Sequence, residues 1–413
     1  MPQLTSLLGL VVFIALAWAL SNHRRAVPWR AIIGGLALQF AFAIFILKTA
    51  LGMSVFRGIQ SVVSSLGKFS DEGAAMAFGP LAKGDLLTKA FGPENGFIFA
   101  ISIAATIILV SALSALLYHW GLLQRVVRAM AVVMQRAMGT SGSESLAAAS
   151  NIFLGQTEAA LLVKPYILGM TRSEIMALMT GGMATIATGV MVVYPRLGMD
   201  AGHILTASVL SAPASLLIAK IIFPERERSD TAAGAAMAVE RTDINSVDAL
   251  CRGTSEGLQM ALNVMAMLIA FVAVVALGNA LLGWLQTLCG VANPITLQTL
   301  LGWVNAPIAW LMGVPARDCA VVGAALGERI VLNEFIGYLS LSQHKETLDP
   351  RSLIIATYAL CGFANFSSIA IQIGGIGALA PTRRADLARI GLRAMIGGLL
   401  ACYVTAAIVG ILL

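Results

Sequence analysis

Charge is what this sequence has least of. Only 12% of its 413 residues are Asp, Glu, Lys or Arg, against about 25% in soluble domains. With 58% hydrophobic residues and a mean hydropathy of +0.85, this excludes a water-soluble globular chain. Its long apolar runs suit spanning helices rather than the alternating strands of a barrel. Cysteine is also sparse. Cys251, Cys289, Cys319, Cys361 and Cys402 are scattered with no Cys-x-x-Cys pair. That gives neither a disulfide framework nor a zinc site, and the thiols read as small buried hydrophobes. There are four histidines, His23, His119, His203 and His344, all at ends of apolar runs or in loops. No His-Glu-x-x-His, no Gly-x-Ser-x-Gly and no nucleophile–His pairing is present, which argues against catalysis. The net charge of +6 reflects Lys and Arg collected in cytoplasmic loops, not a nucleic-acid surface.

What is there is read in chain order. Leu4 to Leu20 and Ala31 to Leu47 are uncharged runs of 17 residues, the low end of the spanning range of about 17–25. The basic turn His23-Arg24-Arg25 and Arg30 between them belongs in the cytoplasm, so the N-terminus lies outside. The first run lacks a basic n-region and a small-residue cleavage site, so it reads as a retained helix. Val55 to Leu66 has apolar residues at helical spacing and suits an external membrane surface. Gly79-Pro80 and Gly92-Pro93 are breaks. Gly96 to Tyr118 spans inward, with His119 beside Tyr118 and Trp120 as an interface anchor. Leu122 to Met138, carrying Arg125, Arg128 and Arg136, is a basic amphipathic helix for the cytoplasmic surface. Pro224 to Glu256 is the one long polar segment, a linker between halves. Gly257 to Ala316 is uncharged and holds helices near 257–285 and 298–313, with Trp303 and Trp310 as belt or packing residues.

Two stretches interrupt the apolar text. In Asn151-Ile152-Phe153-Leu154-Gly155-Gln156-Thr157-Glu158 a carboxylate sits among residues written for lipid. A carboxylate at membrane depth is expensive, so function is the default reading. Apolar arms flank this tip from Ser143 to Met170, each too short to span, and Lys164-Pro165 limits the second. Two short arms around a polar tip read as a re-entrant hairpin. Arg317 to Leu341, with Asp318, Glu328, Arg329 and Glu334, reads as a second one centred on Asn333-Glu334-Phe335. Each hairpin leads into an interrupted span. Ile175 to Pro195 has a Gly- and Thr-rich middle, and Ser352 to Pro381 contains Gly362-Phe363-Ala364-Asn365-Phe366-Ser367-Ser368. A final span follows each, Ile204 to Phe223 and Ala394 to Leu413. Hairpin, broken span, span thus occurs twice, the sequence pattern of a transporter with its site near the midplane.

The tip residues bound the chemistry. Gln156 and Thr157 both donate and accept hydrogen bonds, while an ionised Glu158 only accepts. No Lys or Arg stands at either tip core, so the set suits a neutral polar solute rather than an anion. Asn365, Ser367 and Ser368 add hydrogen-bonding groups, and Phe363 and Phe366 can stack on a flat ring. For a cation, Asn151 offers an amide oxygen, Thr185 a hydroxyl, and Leu154 and Ile186 their carbonyls if the backbone unwinds there. Equally, Asn151 can cap the tip and Thr185 bond back to its own helix; spacing leaves both open. Glu158 and Glu334 also allow proton carriage or an intramembrane enzyme with a carboxylate pair.

Gly155-Gln156-Thr157-Glu158-Ala159, Asn333-Glu334-Phe335, Cys361 to Ala370 and Gly374 to Pro381 together closely resemble the concentrative nucleoside transporters, over nearly the whole length. The resemblance implies an all-α integral membrane protein, a homotrimer, with eight spans and two opposed hairpins per protomer in inverted repeats. It implies a scaffold holding the trimer and a transport domain that moves as an elevator. On that basis 1–118 carries scaffold helices 1–3 with an external helix, and 119–223 the interfacial helix, hairpin 1 and transport helices 4–5. Residues 224–256 are the linker, 257–313 scaffold helix 6 and a connection, and 314–413 hairpin 2 with transport helices 7–8. By resemblance Gln156, Thr157 and Glu158 face the nucleobase, and Glu334, Asn365 and Ser368 hold the ribose. Phe363, Val190 and Met260 match apolar lining positions. Asn151, Leu154, Thr185 and Ile186 match the sodium ligands, Thr185 replacing a Ser of relatives. Proton-coupled members depart from Asn-x-x-x-Gly-Gln-Thr-Glu, which this chain keeps. The expectation is a sodium-coupled importer of nucleosides, pyrimidines such as uridine preferred, in a bacterial inner membrane.

Overall fold

The computed structural model describes residues 2–92, 98–232, 234, 243–291 and 294–413, and among them there are helices and no strand. Among the described residues six helices are long and apolar enough to cross a membrane, and two shorter apolar helices, Val272–Leu288 and Phe366–Leu379, join them. Length and apolarity alone therefore give fewer spans than the eight expected.

The chain opens with α1 (Pro2–Ala19) and α2 (Trp29–Lys48). Next comes α3 (Ala50–Phe78), which extends well beyond the amphipathic stretch read at 55–66. The Thr49 hydroxyl starts it by accepting the Gly52 N–H at 3.0 Å, and the first helix breaker after that is Gly79-Pro80. Then follow α4 (Gly84–Phe91), α5 (Phe99–His119) and α6 (Leu122–Met138). The bounds of α6 are those read from the sequence. It buries Gln124, Val127, Ala131, Met134 and Met138 and leaves Arg125, Arg128 and Arg136 exposed.

The first hairpin is α7 (Gly142–Ser150) with α8 (Glu158–Leu162) and α9 (Lys164–Ile167). The first broken helix is α10 (Arg172–Ala184) with α11 (Thr188–Met191), and α12 (Ala201–Ile222) completes the unit. The second unit follows α13 (Ser246–Leu288) and α14 (Leu297–Leu311). Its hairpin is α15 (Cys319–Val331) and α16 (Glu334–Gln343), its broken helix α17 (Pro350–Leu360) and α18 (Phe366–Leu379), and its last span α19 (Arg384–Leu412). Here α13 begins inside the segment read as a polar linker. Asn245 Oδ1 accepts the N–H groups of Val247 and Asp248, both at 3.0 Å, and this cap starts the helix ahead of its apolar part. Charge forbids burial, not helix.

The repeat also reaches further back than the sequence indicated. α5 packs along α13, α6 on α7, and α14 on α15. Each unit is therefore span, short helix, hairpin, broken helix, span. α19 packs on α10 and α12, while α12 packs on α17. Each final span crosses the other unit's broken helix, the exchange expected of two inverted repeats. α10, α12 and α19 are enclosed on nearly every side, whereas α1, α2 and α5 are largely exposed.

Buried polar groups pin the base of each hairpin. Glu174, in the first turn of α10, accepts from the hydroxyls of Ser141 at 2.5 Å and Ser143 at 3.0 Å. Lys220, near the end of α12, pairs with Glu144 of α7 at 2.6 Å. In the second unit Asp318 accepts from the Ser352 hydroxyl at 2.5 Å and the Asp349 N–H at 3.0 Å. Arg351 there donates to the Gly410 carbonyl at the end of α19.

Candidate functional site

Three irregular segments meet inside the fold: the hairpin tip 151–157, the gap 185–187 in the first broken helix, and the gap 361–365 in the second. Their backbones bond to one another. The Phe363 N–H donates to the Thr185 carbonyl at 3.3 Å. Thr188 donates to the Phe153 carbonyl from its hydroxyl at 2.7 Å and its N–H at 3.3 Å. α7, α10 and α17 end here and α8, α11 and α18 begin here, so partial charges of helix C-termini and N-termini both face the junction.

A cavity of about 340 Å³ opens beside the tip. Leu154, Gly155 and Glu158 line it from the hairpin, Thr188 and Gly189 from α11, Ser111 and Tyr118 from α5, and Arg252 and Met260 from α13. Glu158 is exposed to this space, and one of its oxygens accepts the Gly155 N–H. A Cβ at position 155 would meet only that carboxylate, the far end of a flexible side chain.

Behind the tip lies a buried amide network. Gln156 donates to the Ser368 hydroxyl at 3.4 Å and accepts from Gln372 Nε2 at 3.0 Å. Asn365 caps α18, its Oδ1 accepting the Ser368 N–H at 2.9 Å and the Ser367 hydroxyl at 2.7 Å. Its amide nitrogen remains for other use. Thr157 packs against α18 at Gly375. Glu334, 5% exposed, accepts from the Tyr194 hydroxyl at 3.1 Å, and its second oxygen has no partner among the described residues.

The cation candidates can be tested on this geometry. Asn151 is 1% exposed, and neither atom of its amide has a hydrogen-bond partner among the described residues. The helix end is capped instead by its backbone N–H, bonded to the Ala147 carbonyl at 3.0 Å, so the side chain is not the cap. Thr185 does bond back, its hydroxyl donating to the Gly181 carbonyl at 2.9 Å, and its oxygen keeps lone pairs free. Ile186 is fully buried in the gap, and Leu154 lines the cavity. An unsatisfied buried amide beside helix C-termini and irregular backbone fits a hard cation with oxygen ligands.

Not every expected residue shares the cavity. Leu154, Glu158 and Met260 line it; Gln156, Thr157, Glu334, Asn365 and Ser368 lie behind it, Val190 is buried one residue beyond Gly189 and does not reach it, and Phe363 touches Thr185 rather than the cavity wall. Tyr194, Thr188, Gln372, Ser111 and Tyr118 were missed. Gln372 alone had a signal, a Gln one helical turn after Ser368 in an apolar run.

Models described as the N-terminus and C-terminus of Na+ dependent nucleoside transporters match residues 8–81 and 203–410, and one described as nucleoside recognition matches 100–200. The chain is 42% identical over 412 residues to the uncharacterized transporter YutK of Bacillus subtilis, covering 99% of each. It is 38% identical over 426 residues to sodium/nucleoside cotransporter 1 of Mus musculus, covering 99% of this chain and 64% of the mouse protein. Among solved structures, CNTnw in an inward-facing substrate-bound state superposes with a TM-score of 0.94 at 36% identity, covering 100% of this chain and 98% of that one. A CNTnw variant in an outward-facing state gives 0.93 at the same identity and coverage. An all-helical fold with paired hairpins, a polar junction of unwound helices, and likeness over the whole length lead to one conclusion: the chain belongs to the Na+-dependent nucleoside transporter family, whose members are transporters and not enzymes.

Proposed function

We propose that this protein is a sodium-coupled symporter that imports nucleosides, pyrimidine nucleosides such as uridine foremost, across a bacterial inner membrane as a homotrimer with its N-terminus in the periplasm. The observation that carries the reading is the junction itself. Asn151, an unsatisfied buried amide, lies in the same eight-residue stretch as Gln156, Thr157 and Glu158. Sodium held by Asn151 and Thr185 with the carbonyls of Leu154 and Ile186 orders the tip. The ordered tip then presents Gln156, Thr157 and Glu158 to the base, while Glu334, Asn365 and Ser368 take the ribose hydroxyls. Met260 supplies an apolar wall of the cavity, while Phe363 and Val190 flank the junction beside it.

The cavity runs from the tip toward Tyr118 at the end of α5 and Arg252 near the start of α13. By the positive-inside rule these ends are cytoplasmic, which supports an inward-open state. An elevator motion is supported by the enclosed bundle of α10, α12 and α19 against the exposed helices around it. The apolar outer face of α13, with Leu277, Leu281 and Trp284 exposed, offers surface to lipid or a neighbouring protomer.

The deciding experiment is uptake of labelled uridine into proteoliposomes under an inward sodium gradient, and under a proton gradient alone. Uptake is expected with sodium and at background without it. Equal uptake under both overturns the sodium assignment, and no uptake under either overturns the nucleoside assignment.

A further inference from the structure

The side chain that meets Gln156 from behind is Gln372, fully buried on α18. Its Nε2 lies 3.1 Å from the Met179 carbonyl and 3.0 Å from Gln156 Oε1. A carbonyl oxygen can only accept. The Gln372 atom facing Met179 is therefore its NH2 group, and chemistry sets the orientation of this amide. That NH2 group has two protons. One goes to Met179 and the other to Gln156, so Gln156 turns its oxygen inward to receive it. The Gln156 NH2 group then points to the Ser368 hydroxyl, one turn earlier on α18, at 3.4 Å, and keeps a second proton to donate. The contact has no slack. A Cβ on Gly182 would lie 2.6 Å from Gln372 Nε2 and 2.9 Å from Gln156 Cβ, so the glycine makes room for the amide pair.

We infer that Gln372 is a positioning residue that fixes the polarity of Gln156, making it a donor to the ligand and selecting nucleosides whose base carries a carbonyl, rather than an amino group, at the edge it meets. This rests on the proposed contact between Gln156 and the base. With Gln156 locked as a donor, an amino group opposite it leaves two donors facing each other, one of them desolvated without a partner. Between uridine and cytidine, which exchange a carbonyl for an amino group at ring position 4, the site favours uridine by about tenfold, the size expected for one lost buried hydrogen bond.

The test is equilibrium binding of uridine and cytidine to the purified protein in saturating sodium, read as the ratio of the two affinities. Gln372→Met keeps the bulk and removes the donor, so Gln156 is free to turn and the ratio falls toward one. Gln372→Glu goes further. Ionised, its carboxylate only accepts; protonated, its one hydroxyl goes to Met179 and its carbonyl accepts. Either way Gln156 must present its NH2 group inward and its oxygen to the ligand, so the preference moves to cytidine. A role in packing alone would weaken both ligands alike and leave the ratio unchanged. An unchanged ratio in both variants overturns the inference. Gln156→Ala separates the two levels. If it changes the ratio while the Gln372 variants do not, only the positioning role fails. If it too leaves the ratio unchanged, the base contact fails and the inference with it.

Discussion

Single residues show why the two membrane carboxylates are not interchangeable. Glu158 faces an open cavity and is steadied by the Gly155 N–H. Glu334 is enclosed, with one oxygen held by Tyr194 and the other unsatisfied among the described residues. A buried acceptor without a donor is costly, and in the proposed function a ribose hydroxyl donates to it. Glu334→Gln replaces one acceptor by a donor and is expected to reduce uridine uptake to background while the protein still extracts from membranes in folded form. Persistent uptake in that variant removes Glu334 from the ribose site. Tyr194→Phe deletes one hydrogen bond to this carboxylate, worth about 1.5 kcal/mol at the low end for a charged acceptor. It should weaken uridine binding roughly tenfold, leaving transport measurable in the same proteoliposome assay.

At the scale of elements, the hairpins are short helices that cannot hold themselves in place. The base of the first depends on the ion pair between Glu144 of α7 and Lys220 of α12, with the two residues 1% and 5% exposed. Removing one partner of a buried pair strands the other charge, at about 3–5 kcal/mol. Lys220→Met should therefore lower the melting temperature of the detergent-purified protein by several degrees. Joining it with Glu144→Gln should recover most of the loss, because a neutral amide is far cheaper to bury. A melting temperature unmoved by Lys220→Met contradicts a structural role for the pair.

For the whole molecule, the proposed function has the junction of three irregular segments tie cation and nucleoside to one piece of backbone. Binding linkage is reciprocal. If sodium tightens uridine binding by some factor, uridine must tighten sodium binding by that same factor. Titrating sodium with and without saturating uridine, and uridine with and without sodium, gives two factors to compare. Coupling energies are typically 1–3 kcal/mol, or about 5–150-fold. Independent affinities would show that the two sites do not communicate through the hairpin.

Much of this was legible from the chain alone, because it is local. Scarce charge and long apolar runs determined a helical membrane protein. Arg125, Arg128 and Arg136 at helical spacing determined α6 to the residue, and the polar interruptions located both hairpins and both broken helices. The motif around Gln156 gave the family by resemblance. What depended on the tertiary structure is whatever joins residues distant in the chain. Tyr194 reaches Glu334 across 140 positions, and Gln372 reaches Gln156 across 216; no local pattern marks such a pair. The membership of α5, α6, α13 and α14 in the repeat also appears only when their packing is seen, since their sequences share no motif. Side-chain direction separated Val190 from the cavity, and a capping Asn245 carried α13 back into a stretch whose charge suggested a linker. Composition determined the solvent of this protein, whereas packing decided which polar groups in that solvent remain unsatisfied, and those are the groups a ligand can bind.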